Sequence, residues 1–419
     1  MRSLLSLAFC VLLAIVSVQS QKPSKVPKGF ATTKNGRFSI DGKPFSFVGA
    51  NSYWIPLLTK TEDVDSTFKQ MKDAGVKVLR TWGFNAINAS ELAGAHQNGL
   101  TYYQVWNSSD WTLNEGKQGL QRLDYVVNTA GKYGIKLILA FTNNWVGYGG
   151  SELYINWIAG AGKTHDVFFS DPRIIKSYQR YVSTIVKRYK NSPNIFAWEL
   201  MNEARCLGDL PGGPNCVPGT ELLSKWYKQQ SDYVRKLDPY HMITTGGEGH
   251  FYWKDKNVGY WLNGQFISDY NFNGQAGEDF DADLLLDNID FGTYLVACTA
   301  YLPSIWYANL DHPNSNFTIK DWGLEWIQAH ADAAKKAKKP VILEEFGVSG
   351  LQNKTDIYPA WVGLALKTNH AGYGLNIIMP WQFGALGLKE SNRVIKYADE
   401  ILDGASPNDG TLYYIALHT

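Results

Sequence analysis

Polar side chains gather where a short, largely apolar run of the sequence ends. Residues 195–205 read IFAWELMNEAR, so Asn202, Glu203 and Arg205 follow directly on that run. Such a run predicts a buried strand of a parallel sheet. Barrels built from parallel strands keep their catalytic groups at the carboxyl ends of the strands. A single Glu at a strand end is more often a surface residue, so a catalytic interpretation of Glu203 depends on a second carboxylate facing it.

Other apolar runs end in the same kinds of side chain. In chain order these are Asn51; Arg80 and Trp82; Asn143, Asn144 and Trp145; Glu248; Glu344 and Glu345; and Trp381 and Gln382. The set contains no His or Cys pair with metal-ligand spacing, no Gly-rich phosphate loop and no Gly-x-Ser-x-Gly elbow. We therefore expect neither a metal nor a cofactor, and the set argues against hydride or phosphoryl transfer.

Two carboxylates on opposite walls of a barrel, flanked by Trp rings, suit glycoside hydrolysis. One acid protonates the leaving oxygen, and the other carboxylate stabilises or attacks the anomeric carbon. Glu203 and one of the two consecutive glutamates, Glu344 and Glu345, can approach the separation of a retaining pair, about 5 Å. Because side chains alternate along a strand, Glu344 and Glu345 are not both expected to face the axis. Alternation alone leaves open which of them does.

The elements needed to position these residues can be read along the chain. Strands are predicted at residues 45–51, 76–82, 135–141, from 195, 242–245, 289–297, 340–346 and 375–381, with helices at 64–74, 120–133, 172–189, 220–237, 321–338 and 358–371. A hairpin at residues 38–44, turning at Asp41-Gly42, would lie across the bottom. This alternation predicts a single-domain α/β protein, a (β/α)₈ TIM barrel, without an appended carbohydrate-binding module.

The amino-terminal sequence and the net charge indicate where the protein works and which partners it has. Residues 1–20 have a basic start, an apolar centre and small residues at the end, as a secretory signal peptide does. The barrel would then occupy residues 21–419 of a secreted, extracellular monomer. With 40 basic and 39 acidic residues, the net charge is +1. That balance argues against nucleic acid or an anionic membrane as the partner.

Cysteines, sequons and aromatic residues fit the same setting. Cys206 and Cys216 flank a loop rich in Gly and Pro and are expected to form a disulfide, whereas Cys298 is left over. Glycosylation sequons begin at Asn88, Asn107, Asn316 and Asn353. The 15 Trp, 24 Tyr and 19 Phe residues suit a groove that stacks sugar rings, although a large core also uses them.

Taken together, these motifs resemble glycoside hydrolase family 5, in particular the secreted fungal endo-β-1,4-mannanases, from about residue 26 to the carboxyl terminus. The resemblance rests on RTWGFN at residues 80–85, TNNW at 142–145 with YGG at 148–150, WELMNE at 198–203, EEFG at 344–347 and WQ at 381–382. A single Asn-Glu or Glu-aromatic-Gly is common, but all five motifs in order at barrel spacing are specific.

The resemblance implies a role for each matching residue. Glu203 is implied as acid/base and Glu345, directly before aromatic-Gly, as nucleophile. The implied substrate-binding residues are Asn202 at the sugar's 2-hydroxyl, Arg80 orienting the nucleophile, Trp381 as sugar platform, Trp82 and Trp145 along the groove, and Arg205 at the leaving-side sugars. Arg80 can instead be a residue that only supports the scaffold, and Trp82 or Trp145 can instead be a core residue that is buried for packing alone. Glu199 and Glu344 are expected to lie outside the site, because they are out of phase along their strands.

Strand six departs from the family pattern. Residues 290–294 read DFGTY, as in the family, but the histidine that should follow is replaced by Leu295 or Ala300, depending on the alignment. Tyr301 remains a candidate for sugar binding, although it is one residue out of register. The segment from Leu295 to Ala300, which carries Cys298, is expected to be a misplaced exon boundary or a real bulge.

The resulting functional prediction is a secreted, retaining endo-β-1,4-mannanase without metal or cofactor. Its partners would be the β-mannan polysaccharides mannan, galactomannan and glucomannan. Two alternatives stay open. An endo-β-1,4-glucanase would use the same paired glutamates, because that chemistry does not encode the sugar. A non-catalytic carbohydrate-binding relative is suggested by the departure in strand six.

Overall fold

The computed structural model describes residues 26–108, 110–296, 316, 318–347, 351–370 and 375–389. Several predictions fall on residues outside these ranges. They concern the signal peptide at residues 1–20, Cys298 and Tyr301, and residues 297–300 of the strand-six segment. These remain predictions.

Eight parallel strands follow one another around a closed barrel. They are β1 (Val48–Asn51), β2 (Val76–Trp82), β3 (Lys136–Ala140), β4 (Ile195–Glu199), β5 (Met242–Thr244), β6 (Gly292–Val296), β7 (Val341–Phe346) and β8 (Leu375–Pro380). Strands β1 to β5 pair in sequence order, as do β6 to β8. The Asp290 amide donates to the Ile243 carbonyl at 2.8 Å between β5 and β6, and β8 packs beside β1. The predicted barrel is confirmed.

Within the described residues, a helix follows each of the first seven strands. The helices are α1 (Thr61–Asp73), α2 (Leu120–Tyr133), α3 (Pro172–Tyr189), α4 (Leu222–Leu237), α5 (Phe280–Leu284), α6 (Ile319–Ala337) and α7 (Leu351–His370). Helix α3 begins as predicted, because the Asp171 side chain caps the Arg173 amide and Pro172 occupies the first turn. Helix α7 begins at Leu351, earlier than the predicted residue 358. Pro359 therefore lies inside the helix and not at its start.

Aromatic rings close the end of the barrel opposite the site. Short antiparallel strands (Ala31–Lys34, Arg37–Ile40 and Lys43–Pro44) cross this end, with the predicted turn at Asp41-Gly42. Phe38 is buried, and its ring centroid lies 5.2 Å from Phe196 and 5.3 Å from Phe291. The hydrophobic cluster therefore fills this end, leaving the carboxyl ends of the strands as the open face, called the mouth below.

Short elements that were not predicted build the rim of the mouth. They are a small sheet (Ala86–Asn88, Gln104–Asn107 and Asp110–Leu113), a hairpin (Gly259–Leu262 and Gln265–Ser268) and short helical turns at Ile55–Leu57, Ala89–Glu91, Leu92–Gln97, Ser151–Tyr154, Ile155–Ala159 and Val167–Ser170. None of the described helices combines the length and the apolar composition needed to cross a bilayer.

The sequon asparagines occupy different surroundings. Asn107 and Asn316 are exposed, and Asn88 is half-buried. The Asn316 side-chain oxygen accepts the backbone N–H of Trp261 at 3.0 Å. Asn353 lies in α7, and its side chain is outside the described set. Glycosylation of the four asparagines stays a prediction.

Candidate active site

Arg80, near the end of β2, lies at the base of the mouth and is 1% exposed. Its Nε donates to Glu199 Oε2 at 2.8 Å, and its Nη2 donates to Glu199 Oε1 at 2.7 Å and to Asn202 Oδ1 at 2.6 Å. Its Nη1 donates to Asn51 Oδ1 at 3.3 Å and to Glu345 Oε1. A guanidinium has five N–H groups, so every donor of Arg80 is used within the site.

The parallel register of the barrel explains why these groups meet. Asn51 lies opposite Arg80 in the pairing of β1 with β2. Glu199 ends β4, where it pairs with the last residue of β3, Ala140. Glu199 is fully buried, and both of its carboxylate oxygens face Arg80. The expectation that Glu199 lies outside the site is therefore wrong.

The two consecutive glutamates of β7 both reach Arg80. Glu345 accepts a hydrogen bond from it, and Glu344 Oε2 lies 3.4 Å from Arg80 Nε. The register of β7 shifts within residues 343–346 against β8, and again at residue 295 of β6. Such irregularities break strict alternation. The prediction that only one of the two faces the site is wrong, as is the assignment of Glu344 outside it.

Glu203 sits on the loop that follows β4. Its backbone φ is 54°, in the left-handed region that non-glycine residues seldom adopt. Its amide donates to the Gly246 carbonyl at 2.8 Å, which ties the turn to the end of β5. The Trp145 Nε1–H donates to Glu203 Oε2. The turn and the indole together hold the Glu203 carboxyl at the mouth.

A second buried arginine flanks Glu203. Arg205 donates through Nε and Nη2 to the two carboxylate oxygens of Glu248, and its guanidinium lies 5.2 Å from the centre of the Trp145 ring. Its backbone N–H donates to Asn144 Oδ1 at 3.1 Å. Glu248 was recognised as a strand-end residue but given no role. Its pairing partner is distant in sequence, so no sequence pattern revealed this ion pair.

The charges around Glu203 and Glu345 decide how the pair is protonated. Burial raises the pKa of Glu203, and so does the charge of Glu248, while Arg205 lowers it. Burial also raises the pKa of Glu345, which Arg80 lowers and the charge of Glu203 raises. Because the two carboxyls repel each other's charge, they titrate as a pair. The two carboxyls differ in their donors: Glu345 has the charged Arg80, which favours its ionised form, and Glu203 has the neutral Trp145 N–H.

Aromatic rings form one wall of the mouth. The ring of Trp381 is half-buried and stacks on Tyr53, with centroids 5.6 Å apart and planes 6° apart. Tyr148 packs against Tyr53 at 5.6 Å. Trp82 is only 4% exposed and packs between Tyr53 and Phe84, so it supports this wall from below. Tyr53 was not predicted; its only sequence signal is its place just after the end of β1.

A disulfide secures the loop beyond Glu203. Cys206 and Cys216, the pair expected from the sequence, are joined, with Cα atoms 5.3 Å apart. Between them, the Leu207 carbonyl accepts from Asn144 Nδ2 at 3.1 Å, and the Asp209 carboxylate accepts the backbone N–H of Val146. The bridged loop thus braces the chain on both sides of Trp145.

The structure brings together most of the predicted site residues. Those placed around the mouth are Arg80, Trp145, Asn202, Glu203, Arg205, Glu345 and Trp381, with Trp82 beneath them. Over the described part of the chain, no group of three His, Cys, Asp or Glu side chains is arranged to hold a metal ion. A carboxyl bonded to a neutral indole and a carboxyl bonded to a guanidinium thus lie at an aromatic-walled mouth, an arrangement suited to glycosidic bond cleavage.

Comparisons with known proteins agree with this chemistry. The model of the cellulase family (glycosyl hydrolase family 5) matches residues 38–378. The probable mannan endo-1,4-beta-mannosidase A-2 of Aspergillus terreus is 36% identical over 385 residues, covering 92% of this chain and 82% of that protein. The crystal structure of the endo-1,4-beta-mannanase from Rhizomucor miehei superposes with a TM-score of 0.71 at 33% identity, covering 88% of this chain and 97% of that one. The chain therefore belongs to glycoside hydrolase family 5.

Proposed function

We propose that this protein is a secreted endo-β-1,4-mannanase that hydrolyses internal bonds of mannan, galactomannan and glucomannan with retention of configuration. The observation that carries the chemistry is the unequal pair of carboxyls, Glu345 bonded to Arg80 and Glu203 bonded to Trp145. The choice of mannan follows from the relatives, such as mannan endo-1,4-beta-mannosidase A of Emericella nidulans, which is 37% identical over 92% of this chain.

In the first step Glu345 attacks the anomeric carbon while Glu203 gives its proton to the leaving oxygen. The carbon–oxygen bond to the leaving sugar breaks, and a glycosyl ester with Glu345 forms. The Arg80 hydrogen bond favours the ionised form of Glu345 and aims it at the carbon, and burial, which raises the pKa of Glu203, favours the protonated form of that residue.

In the second step Glu203, now ionised, takes a proton from water. The hydroxide attacks the anomeric carbon and releases Glu345 as a carboxylate, so that both groups return to their starting states. Two inversions give overall retention. Burial raises the pKa of Glu203 above its ordinary value, which suits a residue that serves as acid and then as base.

The other site residues bind and orient the sugar. Asn202 Nδ2 donates one hydrogen to Asn143 at 2.8 Å, and its second N–H would donate to the 2-hydroxyl at the cleavage point. Trp381 offers its ring as the platform for that sugar. Arg205 and Trp145 line the side from which the leaving sugars depart. Tyr301 stays a predicted sugar contact.

Export is supported by two features of the chain. Residues 1–20 have signal-peptide composition. The disulfide between Cys206 and Cys216 is of a kind that persists in oxidising compartments. We propose that the exported protein acts as a monomer.

The test is an assay of the purified protein on galactomannan, cellulose and xylan. We expect reducing ends to be released from galactomannan, with retention at the anomeric centre of defined manno-oligosaccharides. Release from cellulose alone would instead identify an endo-β-1,4-glucanase. Tight mannan binding without hydrolysis would favour the non-catalytic alternative.

A further inference from the structure

We propose that Glu344 is a positioning residue that stays protonated throughout the catalytic cycle and so reserves Arg80 for the nucleophile. The inference rests on the proposed role of Glu345 and adds a neighbour to which neither the mechanism above nor the family motif assigns a task. Glu344 is fully buried and lies directly beside the reacting pair.

The backbone at Glu344 is fixed next to Arg80. Its carbonyl accepts a hydrogen bond from Asn51 Nδ2 at 2.7 Å, and Asn51 in turn binds Arg80. The side chain cannot turn away to water, because no part of it reaches solvent. Glu344 Oε2 is thereby held 3.4 Å from Arg80 Nε.

Arg80 nevertheless has no hydrogen bond left for Glu344. Its Nε–H goes to Glu199, and its four terminal N–H groups go to Glu199, Asn202, Asn51 and Glu345. A carboxylate needs donors when it is taken out of water, and an ionised one without them is strongly destabilised. Arg80 therefore offers an ionised Glu344 no free N–H, and among the described residues the Thr293 hydroxyl is the donor that remains beside it.

The charge count disfavours an ionised Glu344. Among the described residues, the groups facing Glu344 are Arg80 on β2, Glu199 on β4, Glu345 on β7 itself and the Thr293 hydroxyl on β6. The remaining neighbour, β8, carries no titratable side chain. If all were ionised, one cation would face three carboxylates, of which Glu199 and Glu344 are fully buried. Burial raises the pKa of Glu344 well above its usual range; the charge of Arg80 opposes this rise, and the charges of Glu199 and Glu345 add to it.

A neutral Glu344 has a consequence for the nucleophile. An anion 3.4 Å from Nε would compete with Glu199 and draw the guanidinium away from Glu345. Without that charge, Arg80 keeps its bond to Glu345, and the nucleophile stays ionised and aimed. The neutral carboxyl of Glu344 then supports Arg80 by packing beside it, without adding a negative charge.

The test compares Glu344→Gln with Glu344→Ala, using kcat, KM and the pH dependence of kcat/KM on a manno-oligosaccharide. Gln has the shape of a neutral carboxyl, so E344Q should keep kcat within about twofold and leave both limbs of the profile in place. E344A removes the support beside Arg80 and should lower kcat about 10- to 100-fold with little change in KM. The same amide change at the bonded neighbour, Glu199→Gln, is the control and should lower kcat strongly.

Two results would overturn the proposal. If E344Q moves the acidic limb to lower pH, Glu344 was ionised, because loss of its charge then lowers the pKa of Glu345. If E344A matches the wild type in kcat, the residue does not position Arg80. The proposed function fails separately: Glu345→Gln would then retain wild-type activity, whatever the Glu344 variants do.

Discussion

The two facing carboxyls of the mouth are held in unlike ways. Glu345 lies on a barrel strand and is bound by a buried guanidinium. Glu203 lies on a loop, in a left-handed backbone conformation, and is bound by the neutral N–H of Trp145. Its nearest arginine, Arg205, is committed to Glu248.

In the proposed mechanism, this difference gives two similar acids opposite roles. A full positive charge in direct contact stabilises the ionised state of Glu345. At Glu203 the charge of Glu248 favours the protonated state and the Trp145 hydrogen bond favours the ionised state, so that Glu203 can give up and regain a proton. The scaffold therefore assigns nucleophile and acid/base through neighbours, since the two side chains are chemically identical.

Removing either carboxyl should have the largest effect. Glu345→Gln and Glu203→Gln should each lower turnover on mannan by about 10³-fold or more, with folding intact. An aryl mannoside with a good leaving group needs no acid in the first step, so it should restore formation of the glycosyl ester in E203Q and not in E345Q. Stopped-flow detection of the released phenol measures this. Equal rescue of both variants would contradict the separate roles of Glu203 as acid/base and Glu345 as nucleophile.

Replacing the guanidinium should come next. Arg80→Lys removes the paired contacts to Glu199 and Glu345 and should lower kcat by about 10²-fold. The matched change Arg205→Lys leaves Glu345 untouched and should cost less. Steady-state kinetics of the two variants checks the order, and a larger loss at Arg205 would contradict it.

The neighbours of Glu203 should move its titration in opposite directions. Glu248 raises the pKa of Glu203, so Glu248→Gln should lower that pKa and shift the alkaline limb of kcat/KM to lower pH. The Trp145 hydrogen bond lowers the pKa, so Trp145→Phe should shift the same limb to higher pH. Profiles of kcat/KM against pH for both variants provide the measurement. Shifts in the same direction would show that Glu203 is not the group behind this limb.

The smallest catalytic effect should come from the disulfide. The double change Cys206→Ser and Cys216→Ser should destabilise the protein by about 2–4 kcal/mol, because the unfolded chain regains freedom. The hydrogen bonds described above tie this loop to Asn144 and Val146 and not to β7, so activity below the melting transition should fall only modestly. Thermal denaturation with parallel activity assays tests this, and unchanged stability would show that the disulfide does not stabilise the protein.

The sequence predicts the barrel because its strand bodies are apolar and its helix ends carry clear signals. Residues 76–82 and 120–133 were predicted with the bounds that the structure has. The rim elements were missed, since strands of three or four half-exposed residues have no strong period. The extended start of α7 was missed because Pro359 resembles a helix beginning.

The site shows a similar division. Glu203 and Glu345 could be selected from strand ends and motif resemblance. Glu199 and Glu344 could not, because strict alternation places them outside, and only the irregular register of β7 and the reach of Arg80 bring them in. The pairing of Arg205 with Glu248 joins residues 43 positions apart and has no local pattern.

The most direct test of the central claim is to trap the glycosyl ester. The wild-type protein is treated with a 2-deoxy-2-fluoro mannoside that bears an activated leaving group, and the labelled peptide is mapped by tandem mass spectrometry. We expect a single label on Glu345, one residue away from Glu344. A label on Glu344 or Glu203 would show that Glu345 is not the nucleophile. No label on a protein that hydrolyses mannan would contradict the formation of a glycosyl ester.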